Sequence, residues 1–273
     1  MNLTRSTAAQ LGRDTVRILE ADRYTNPAGE VVDIGDLVKR SVEGVRSFPP
    51  DHDTPAVWPG ADQTQIEVKN ESTLAAARRL VELGLRPVAL NFASAKHPGG
   101  GFLTGALAQE ESLARSSGLY ACLVGNPMYD FHIAQRNPMY SNYAIYSPDV
   151  PVWRDDAGGL LPRPYLCSFI TSPAVNAKVV LARNRSARLR IREAMRQRTG
   201  KVLKVAAMHG HEALVLGAWG CGVFGNDSLE IAELFHRALT GDFRGVFRQV
   251  VFAILDWSAG QRFIGPFADV FRS

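Results

Sequence analysis

Residues 87–111 carry the sequence PVALNFASAKHPGGGFLTGALAQEE, in which an apolar run leads into a glycine-rich segment and then into a pair of acidic residues. The run 87–92 predicts a short buried strand. The segment 97–105 predicts a loop, and we expect a helix over about 106–123. A strand followed by a glycine loop and a helix is typical of α/β folds, which bind ligands at the carboxyl ends of their strands.

The rest of the chain continues this alternation of strands and helices. Together the elements predict an α/β fold with a mixed sheet that is covered by helices on both faces. The first 62 residues look helical and then irregular, so we expect an N-terminal helical extension (1–62) packed on a core domain (63–273). Further strands are expected at 65–69, 143–146, 150–153, 166–171 and 213–218, an apolar segment at 246–255, and further helices at 3–21, 34–47, 72–83, 187–208 and 228–239.

Composition and charge exclude several classes of protein. The 273 residues are 46% hydrophobic and 21% charged, which excludes a disordered or fibrous chain. No window approaches 18 uninterrupted apolar residues, and charges interrupt the first 21 positions, so we expect neither a membrane span nor a secretory signal. Cys122, Cys167 and Cys221 form no Cys-x-x-Cys pair, and we expect them to be reduced thiols of a cytoplasmic protein.

A second glycine-rich segment, GAWGCGVFGN at 217–226, also follows a predicted strand and precedes a predicted helix. Glycines let backbone amides approach an anion closely, and a helix N-terminus just beyond adds free N–H groups and a favourable dipole. Neither loop has the Gly-x-x-x-x-Gly-Lys-Ser/Thr pattern of nucleotide triphosphatases. Gly220, Gly222 and Gly225 match a nominal dinucleotide fingerprint, but they lie too late in the chain for a first βαβ unit. Two such loops at strand ends therefore indicate a ligand that carries phosphate.

The acidic residues Glu110 and Glu111 follow the first glycine loop so closely that we expect both to face a ligand. Neighbouring helical residues differ by about 100° in direction. This pair therefore cannot flank a glycosidic bond from opposite sides, as the two carboxylates of most glycosidases do. One carboxylate would instead act first as acid and then as base, while the other holds a hydroxyl. The alternative is that both glutamates only stabilise the N-terminal half of a helix.

The glycine triplet at 99–101, followed after seven residues by Gln-Glu-Glu at 109–111, resembles the signature of poly(ADP-ribose) glycohydrolases. The stretches LNFAS at 90–94 and LGAWGCGVFGN at 216–226 are similar to the compact bacterial type of that family, and the resemblance runs from about residue 63 to the C-terminus. It implies a macrodomain fold, in which a mixed sheet between helices binds ADP-ribose. It also implies a glycosidase that hydrolyses the ribose–ribose O-glycosidic bond of poly(ADP-ribose), releases ADP-ribose and needs no metal or other cofactor.

The resemblance also implies a role for each matching residue. Glu111 would protonate the leaving ribose oxygen and then activate water, Glu110 would bind ribose hydroxyls, and Gln109 would orient the pair. The first loop would contact the terminal ribose and a phosphate, and the second loop would wrap the diphosphate, with Val223 and Phe224 near the scissile ribose. The implied substrate-binding positions are Gly99, Gly100, Gly101, Gln109, Gly220, Cys221, Gly222, Val223, Phe224, Gly225 and Asn226.

The resemblance implies poly(ADP-ribose), ADP-ribose and poly(ADP-ribosyl)ated proteins as partners, in the reversal of ADP-ribosylation during the DNA damage response. No membrane and no specific nucleic acid are expected as partners. Two other interpretations stay open: a macrodomain that binds ADP-ribose without cleaving it, and an enzyme that removes a single ADP-ribose from a protein side chain. The paired carboxylates argue against a pure binding module, because such a module does not need them at the ribose.

A basic segment, 178–204, carries ten lysines and arginines against Glu193 alone. A local excess of positive charge suggests attraction to a polyanion, and Arg188, Arg192 and Arg196 are the candidates to guide an anionic polymer. The alternative is a solvated helix face above a buried apolar stripe.

Two further groups of residues resemble functional sites, one for a metal ion and one for adenine, but their patterns are less specific. His209 and His211 resemble a metal pair, but the sequence offers no third ligand beside them, so no metal site is predicted. Four tyrosines are candidates to stack on adenine, although such residues more often belong to a core or a sheet surface. They are Tyr129, Tyr140, Tyr143 and Tyr146.

Overall fold

A seven-stranded mixed sheet is the centre of the computed structural model, which describes residues 3–52, 54, 56–58, 60 and 63–272. The strands of these residues are β1 (Arg23–Thr25), β2 (Val31–Asp33), β3 (Arg46–Phe48), β4 (Gln65–Lys69), β5 (Pro87–Phe92), β6 (Ala144–Arg154), β7 (Leu160–Ser172), β8 (Ala213–Leu216) and β9 (Gln249–Ala253). The sheet has the order β3-β6-β7-β5-β8-β9-β4, and β1 and β2 form a separate ribbon. The strands from β7 to β4 in this order are parallel, whereas β6 and β3 are antiparallel additions at one edge.

Helices cover both faces of this sheet, as the sequence predicts. One core lies between the sheet and the three helices 188–208, 228–240 and 264–270. It contains Leu203, Phe235 and Phe267. The core on the opposite face contains Leu80 and Met128. No helix in the part of the chain that the structure describes is long and apolar enough to cross a lipid bilayer. The helices are α1 (Arg5–Ala21), α2 (Gly35–Glu43), α3 (Thr73–Glu82), α4 (Gln109–Ser116), α5 (Leu119–Leu123), α6 (Pro127–Gln135), α7 (Ala177–Arg183), α8 (Arg188–Met208), α9 (Ser228–Thr240) and α10 (Ile264–Val270).

Strands β5 and β8 lie side by side in the middle of the sheet and bring the two glycine loops together. They run parallel, with Val88 opposite Leu214 and Ala89 opposite Val215. β5 is apolar on both faces, because Val88 and Leu90 belong to one core and Ala89 to the other. The carboxyl ends of parallel neighbours meet at the same edge of a sheet. The loops that follow β5 and β8 therefore lie next to each other.

Two predicted elements are divided differently in the structure. The prediction of one helix over 106–123 is wrong, because α4 ends before Ser117 and α5 begins after it. Ser117 is extended and forms an isolated bridge with Val152 of β6, a long-range contact that interrupts the helix. The strands predicted at 143–146 and 150–153 are two parts of one strand, β6, which has register shifts against β7.

The N-terminal segment contributes a strand as well as helices. The helix predicted over 34–47 ends at Glu43, and the residues just beyond it form β3, which pairs with β6 of the main sheet. The predicted boundary lies at residue 62, outside the described residues. The division into an extension (1–62) and a catalytic domain (63–273) stays a prediction.

Helix α1 packs against the first glycine loop. This loop ends in a single 3₁₀ turn, Phe102–Thr104, which lies against α1. A Cβ atom at Gly12 would lie 2.7 Å from the carbonyl oxygen of Phe102, so the backbones of the helix and the loop are in direct contact. Thr15 in the same helix donates a hydrogen bond to the carbonyl of Arg115 in α4. The N-terminal helix thus supports both the loop and the helix that follows it.

Candidate active site

Two buried glutamates stand in the first turn of α4, beside the first glycine loop. Glu110 and Glu111 are 3% and 9% exposed, and the helix begins at Gln109 directly before them. The N-terminal end of a helix favours negative charge, which lowers the cost of burying carboxylates there. Glu111 Oε1 accepts a hydrogen bond from Gly101 N at 2.9 Å, and Glu110 Oε2 accepts one from Ser94 N at 2.6 Å. Both carboxylates are thus held at the rim of the loop, where the sequence predicts them.

The two carboxylates converge on Gly100. A Cβ atom at this position would overlap Glu111 Oε1 and would lie 2.9 Å from Glu110 Oε2. Gly99 and Gly100 have φ angles of +68° and +60°, in the left-handed region that glycine adopts without strain. Glu110 Oε1 and Glu111 Oε2 are buried and have no hydrogen-bond partner among the described residues. Buried polar atoms are normally paired, so these two oxygens are available to a ligand hydroxyl or a water.

Gln109 ties α4 to β5 and so determines where the glutamates stand. Its Oε1 accepts a hydrogen bond from Phe92 N at 2.9 Å. Its Nε2 donates to the carbonyl of Leu90 at 2.8 Å and to Thr73 Oγ1 at 3.1 Å. These contacts fit the expected role of Gln109 in orienting the carboxylates. A direct contact between Gln109 and the substrate stays a prediction.

The pKa of the Glu110 carboxyl group is strongly raised. Burial raises the pKa of Glu110 to about 8; the hydrogen bond from Ser94 N opposes this rise, and the charge of Glu111 adds to it. Glu110 therefore keeps its proton at neutral pH in most molecules of the ligand-free protein. Such perturbed groups concentrate at functional sites, which agrees with the position of Glu110 beside the loop.

The raised pKa of Glu110 predicts that the stability of the protein falls as the pH rises from about 5 to about 8. The folded protein binds this proton more tightly than the unfolded chain, in which a glutamate titrates near 4.5. The stabilisation is therefore complete below that value and is lost as the pH rises through the folded pKa of about 8. At roughly 1.4 kcal/mol per pKa unit, the loss is several kcal/mol and about 5 kcal/mol at most. We expect Glu110→Gln to lack this slope in chemical unfolding measured across the same pH range.

The exposed residue Glu82 supplies the control for this experiment. Its carboxylate forms only a surface ion pair with Arg78 on α3, so Glu82→Gln should keep the wild-type slope. Other titrating groups are present in all three proteins and cancel in the difference. Equal slopes for wild type and Glu110→Gln would contradict the prediction.

The second glycine loop is fixed at both ends and open in the middle. Trp219 is buried, and its Nε1 donates to a backbone carbonyl of β7 at 3.2 Å. Asn226 Nδ2 donates to the carbonyls of Val175 at 2.8 Å and Gly220 at 3.1 Å, which closes the loop on itself. Between these anchors, a Cβ atom at Gly222 would meet no protein atom within 4 Å. The backbone at Gly222 is therefore open to a ligand that must approach closely.

The side chains of the second loop divide into buried and exposed ones. Cys221 is buried, and burial raises the pKa of its thiol to about 12, so that it packs as a neutral group. Val223 is 82% exposed, and the half-buried ring of Phe224 lies 6.0 Å from the ring of Tyr140. The structure thus exposes Val223, whereas Phe224 packs against the core, and Cys221 and Asn226 hold the loop from within. Substrate contacts of the loop residues stay predictions.

Near the site, Ser94 was not singled out from the sequence, and Tyr140 was named only among four tyrosines. Ser94 N holds Glu110, and Ser94 Oγ accepts hydrogen bonds from the backbone of Lys96 and His97, which shapes the loop. Ser94 ends the stretch 90–94 that carries part of the family resemblance, so a signal for it was present. Tyr140, considered only as one of several tyrosines, is the one that lies beside Phe224.

The other three candidate tyrosines are core residues. Tyr129, Tyr143 and Tyr146 are almost fully buried, which confirms the interpretation that such residues more often belong to a core. An enclosed ring has no free face on which a ligand could stack. Tyr146 stacks on His209 with 3.8 Å between ring centroids, and its hydroxyl is 2.8 Å from His211 Nε2. Both histidines thus pack on one tyrosine. In the described part of the chain, no three His, Cys, Asp or Glu side chains are grouped so that they could hold a metal ion.

Comparison with known proteins identifies relatives along nearly the whole chain. The family model for the microbial-type PARG (poly(ADP-ribose) glycohydrolase) catalytic domain matches residues 12–155. The poly(ADP-ribose) glycohydrolase of Thermomonospora curvata is 49% identical over 97% of this chain and 100% of that chain, with a TM-score of 0.92. Its structure with the inhibitor ADP-HPD has 48% identity, the same coverage and a TM-score of 0.90. The poly(ADP-ribose) glycohydrolase of Deinococcus radiodurans in complex with ADP-ribose is 42% identical over 88% of this chain and 98% of that chain, with a TM-score of 0.83. No curated protein sequence matches the chain.

These similarities agree with the architecture and with the motif residues. The family model covers more than half of the chain, and the Thermomonospora curvata enzyme superimposes on almost all of it at close to half identity. The glycine triplet and the buried glutamate pair both lie inside the matched segment. The chain therefore belongs to the microbial-type poly(ADP-ribose) glycohydrolase family and is a glycosidase.

Proposed function

We propose that this protein hydrolyses the ribose–ribose O-glycosidic bond of poly(ADP-ribose) and releases ADP-ribose, with Glu111 as general acid and then as general base. The proposal depends on one observation above all. Two buried glutamates converge on Gly100 in a glycine loop, and each keeps one oxygen without a partner among the described residues. Burying carboxylates costs free energy, and a module that only bound ADP-ribose would gain nothing from it.

The terminal ADP-ribose unit is proposed to span both glycine loops. Its diphosphate lies over the open backbone at Gly222, where the N-terminal end of α9 adds a favourable dipole. Its distal ribose lies at Gly100, next to the carboxylates. The carboxyl ends of β5 and β8 adjoin, so one ligand can reach both loops. The relatives crystallised with ADP-ribose and with ADP-HPD support this choice of ligand.

The hydrolysis then needs one group that gives and takes a proton. Glu111 in its protonated form donates a proton to the leaving ribose oxygen while the bond between that oxygen and the anomeric carbon breaks. The diphosphate lies close to the positive charge that develops on the sugar, and the closed site strengthens this interaction. The Glu111 carboxylate next takes a proton from a water whose oxygen adds to the anomeric carbon, which restores the acid. The hydrogen bond from Gly101 N to Glu111 Oε1 keeps the carboxyl group oriented in both steps.

Glu110 is proposed to hold hydroxyl groups of the same ribose. Its unpartnered oxygen, Oε1, is the atom available for this contact. While Glu110 keeps its proton, it can also donate a hydrogen bond, which an ionised carboxylate cannot do.

The carriers of the polymer, the process and the compartment are also proposed. Poly(ADP-ribosyl)ated proteins are the proposed carriers of the polymer, and the proposed process is removal of the modification in the DNA damage response. The proposed compartment is the cytoplasm. All three cysteines are unpaired and buried, which suits a reducing environment.

The function is tested by incubating the protein with purified poly(ADP-ribose) and identifying the products by chromatography and mass spectrometry. Free ADP-ribose is the expected product. A polymer that is bound but not cut would favour the binding module instead. Release of ADP-ribose only from a protein that carries single ADP-ribose groups would favour the mono-ADP-ribosyl hydrolase.

Replacement of Gly222 tests the placement of the diphosphate. Wild type should bind ADP-ribose far more tightly than AMP, because the second phosphate and the distal ribose add contacts. Gly222→Val leaves the fold intact, since no protein atom lies within 4 Å of a Cβ there, but it places a branched side chain where the diphosphate must approach. We expect ADP-ribose affinity to fall by roughly tenfold or more, which is about 1.4 kcal/mol, as measured by calorimetry.

Gly200 in α8 supplies the matched control for Gly222. A Cβ atom at Gly200 also meets nothing within 4 Å, and its helix lies outside the two glycine loops. Gly200→Val should therefore bind ADP-ribose as wild type does. Equal affinities of the wild type for AMP and ADP-ribose would overturn the assignment of the second loop to the diphosphate.

A further inference from the structure

We infer that five exposed cations beside the second glycine loop form a docking surface for the part of poly(ADP-ribose) that lies beyond the unit held in the site. This basic strip consists of Lys178, Arg183, Arg185, Arg188 and Arg190. The inference rests on the proposed function, because it assigns the rest of the same polymer to a second surface.

The structure separates the strip from the other cations of the segment 178–204. Arg192 pairs with Glu233 at 3.0 Å and Arg196 with Glu193 at 2.7 Å. The sequence-based choice of these two arginines to guide a polymer stays a prediction, and the structure shows that each already has a carboxylate partner. Two further cations are buried and donate to backbone carbonyls, namely Arg198 to Pro173 and Met139, and Lys201 to Pro49.

The five residues of the strip have no such partners. All are exposed, and no carboxylate of the described residues lies within 4.0 Å of any of them. Four arginines occupy the eight positions 183–190, and no acidic residue stands among them. Arg185 and Arg188 stand three residues apart, and such like charges in helical structure repel each other by a few tenths of a kcal/mol. An anion bound between them would remove that repulsion.

The strip begins at the second glycine loop. Lys178 N donates a hydrogen bond to the carbonyl of Phe224 at 2.9 Å, and a Cβ atom at Gly225 would lie 3.4 Å from Lys178 Cβ. Helix α7, which contains Lys178 and ends at Arg183, is about 10 Å long. That distance is close to the Debye length at physiological ionic strength. Charges along the strip are thus near enough to act on a polymer whose end is in the site.

A cavity connects the loop to the strip on the outer side of the molecule. Its walls include Gly222 and Gly225 of the loop, Arg188 of the strip and Arg262 on the opposite side. Two acidic side chains, Asp227 and Glu230, also line it. The Asp227 carboxylate accepts hydrogen bonds from the first turn of α9, so it is already engaged as an N-cap. The cavity thus joins the loop to Arg188 of the strip, and its charged side chains are two arginines and two carboxylates.

Poly(ADP-ribose) fits this surface better than a nucleic acid does. Each unit of the polymer carries a diphosphate, so the chain beyond the bound end presents negative charge at regular intervals. Proteins that bind single-stranded nucleic acid combine a basic groove with aromatic side chains on which bases stack. Segment 178–190, which reads KVVLARNRSARLR, contains no aromatic residue. Poly(ADP-ribose) has two phosphates for each base, whereas a nucleic acid has one, so a strip with charge and no stacking platform favours poly(ADP-ribose). The strip starts beside Phe224, which the family resemblance places near the scissile ribose, where the rest of the polymer leaves the site.

The test neutralises the four arginines together, as Arg183→Gln, Arg185→Gln, Arg188→Gln and Arg190→Gln in one variant. At low salt we expect kcat/KM on long polymer to fall by roughly tenfold, as steering is lost. The slope of log kcat/KM against log salt should flatten by about 3, because each phosphate contact of a single strand contributes about 0.7. ADP-ribose affinity and the rate on the shortest cleavable oligomer should stay at wild-type values.

The control variant removes the same number of charges from arginines that already have ion-pair partners. These are exposed residues outside the basic segment, replaced by glutamine as a set: Arg17, Arg78, Arg86 and Arg272. This variant should keep the wild-type salt slope on long polymer. If the strip variant and the control variant behave alike, the inference is overturned.

Direct binding separates failure of this inference from failure of the proposed function. Labelled polymer is titrated with the wild type and with the strip variant, both carrying Glu111→Gln so that the polymer stays intact. Weaker binding by the strip variant supports the strip even if the wild type released no ADP-ribose in the product assay. Equal binding refutes the strip even if the wild type is an active hydrolase. The same titration is done with a single-stranded oligonucleotide that has the same number of phosphates. If it binds more tightly than the polymer, and only to the protein with the intact strip, the partner of the strip is a nucleic acid and the inference is overturned.

Discussion

Glu111→Gln is expected to lower the rate of ADP-ribose release from poly(ADP-ribose) by roughly 10²–10⁴-fold, with the loss at the upper end of that range. The same carboxyl group serves as acid in the first step and as base in the second, so one replacement removes both contributions. The amide keeps the shape of the side chain, and its oxygen can still accept the hydrogen bond that Gly101 N gives to Glu111 Oε1. Affinity for ADP-ribose should therefore change little. Single-turnover release from polymer and calorimetry with ADP-ribose measure the two quantities separately.

Glu110→Gln is the matched control, because it replaces the neighbouring carboxyl group in the same turn of α4. Its contacts with ribose hydroxyls exist in the ground state as well as in the transition state, so the change should weaken binding more and chemistry less. Glu111→Gln should thus show the larger loss in the rate of ADP-ribose release, and Glu110→Gln the larger loss in ADP-ribose affinity. A Glu111→Gln protein that released ADP-ribose at nearly the wild-type rate would contradict the proposed mechanism.

The sequence predicts the centre of the molecule well because the relevant signals there are local. β4 and β5 occupy the predicted residues 65–69 and 87–92, and α9 begins at the predicted Ser228. Each of these elements has its own pattern of apolar residues. The sequence indicates that both glycine loops border one ligand, because ligands of α/β folds bind at the carboxyl ends of strands. The pairing of β5 with β8 places the two loops next to each other, as this interpretation requires.

Other features depend on contacts between distant parts of the chain, which a single sequence does not display. The break at Ser117 follows from a bridge to Val152, and the short strand β3 exists because β6 offers it an edge. Helix α6 was missed although Asn126 caps it and a proline stands in its first turn. It has no clear apolar face, so periodicity gave no signal.

The candidate site shows the same limit in its electrostatics. The motif identifies both glutamates, but only the fold shows that burial raises the pKa of Glu110 to about 8. The basic segment likewise has a visible charge, but the structure alone shows that Arg192 has an ion-pair partner while Arg188 has none among the described residues. Composition therefore predicts how much charge a segment has, and tertiary contacts decide which charges are available to a ligand.

Gly100→Ala is expected to damage the site directly, because its side chain would enter the space of the two glutamates. The new Cβ atom would overlap Glu111 Oε1 and would lie 2.9 Å from Glu110 Oε2, so both carboxylates must move. A displacement of about 1 Å at reacting groups can cost roughly 10²-fold in rate. The φ angle of +60° adds strain of about 1–2 kcal/mol for any residue with a Cβ atom. We expect kcat/KM on polymer to fall by about 10²-fold or more, together with a lower melting temperature.

Gly125→Ala separates the strain from the displacement of the carboxylates. Gly125 has a φ angle of +74°, but a Cβ atom there would meet nothing within 4 Å. Its replacement should therefore lower the melting temperature through strain alone and leave kcat/KM unchanged. The loss of activity in Gly100→Ala would then be due to the two displaced glutamates. If Gly100→Ala kept its activity, the carboxylates would have room to move without consequence, and their convergence on Gly100 would not be what positions them for the reaction.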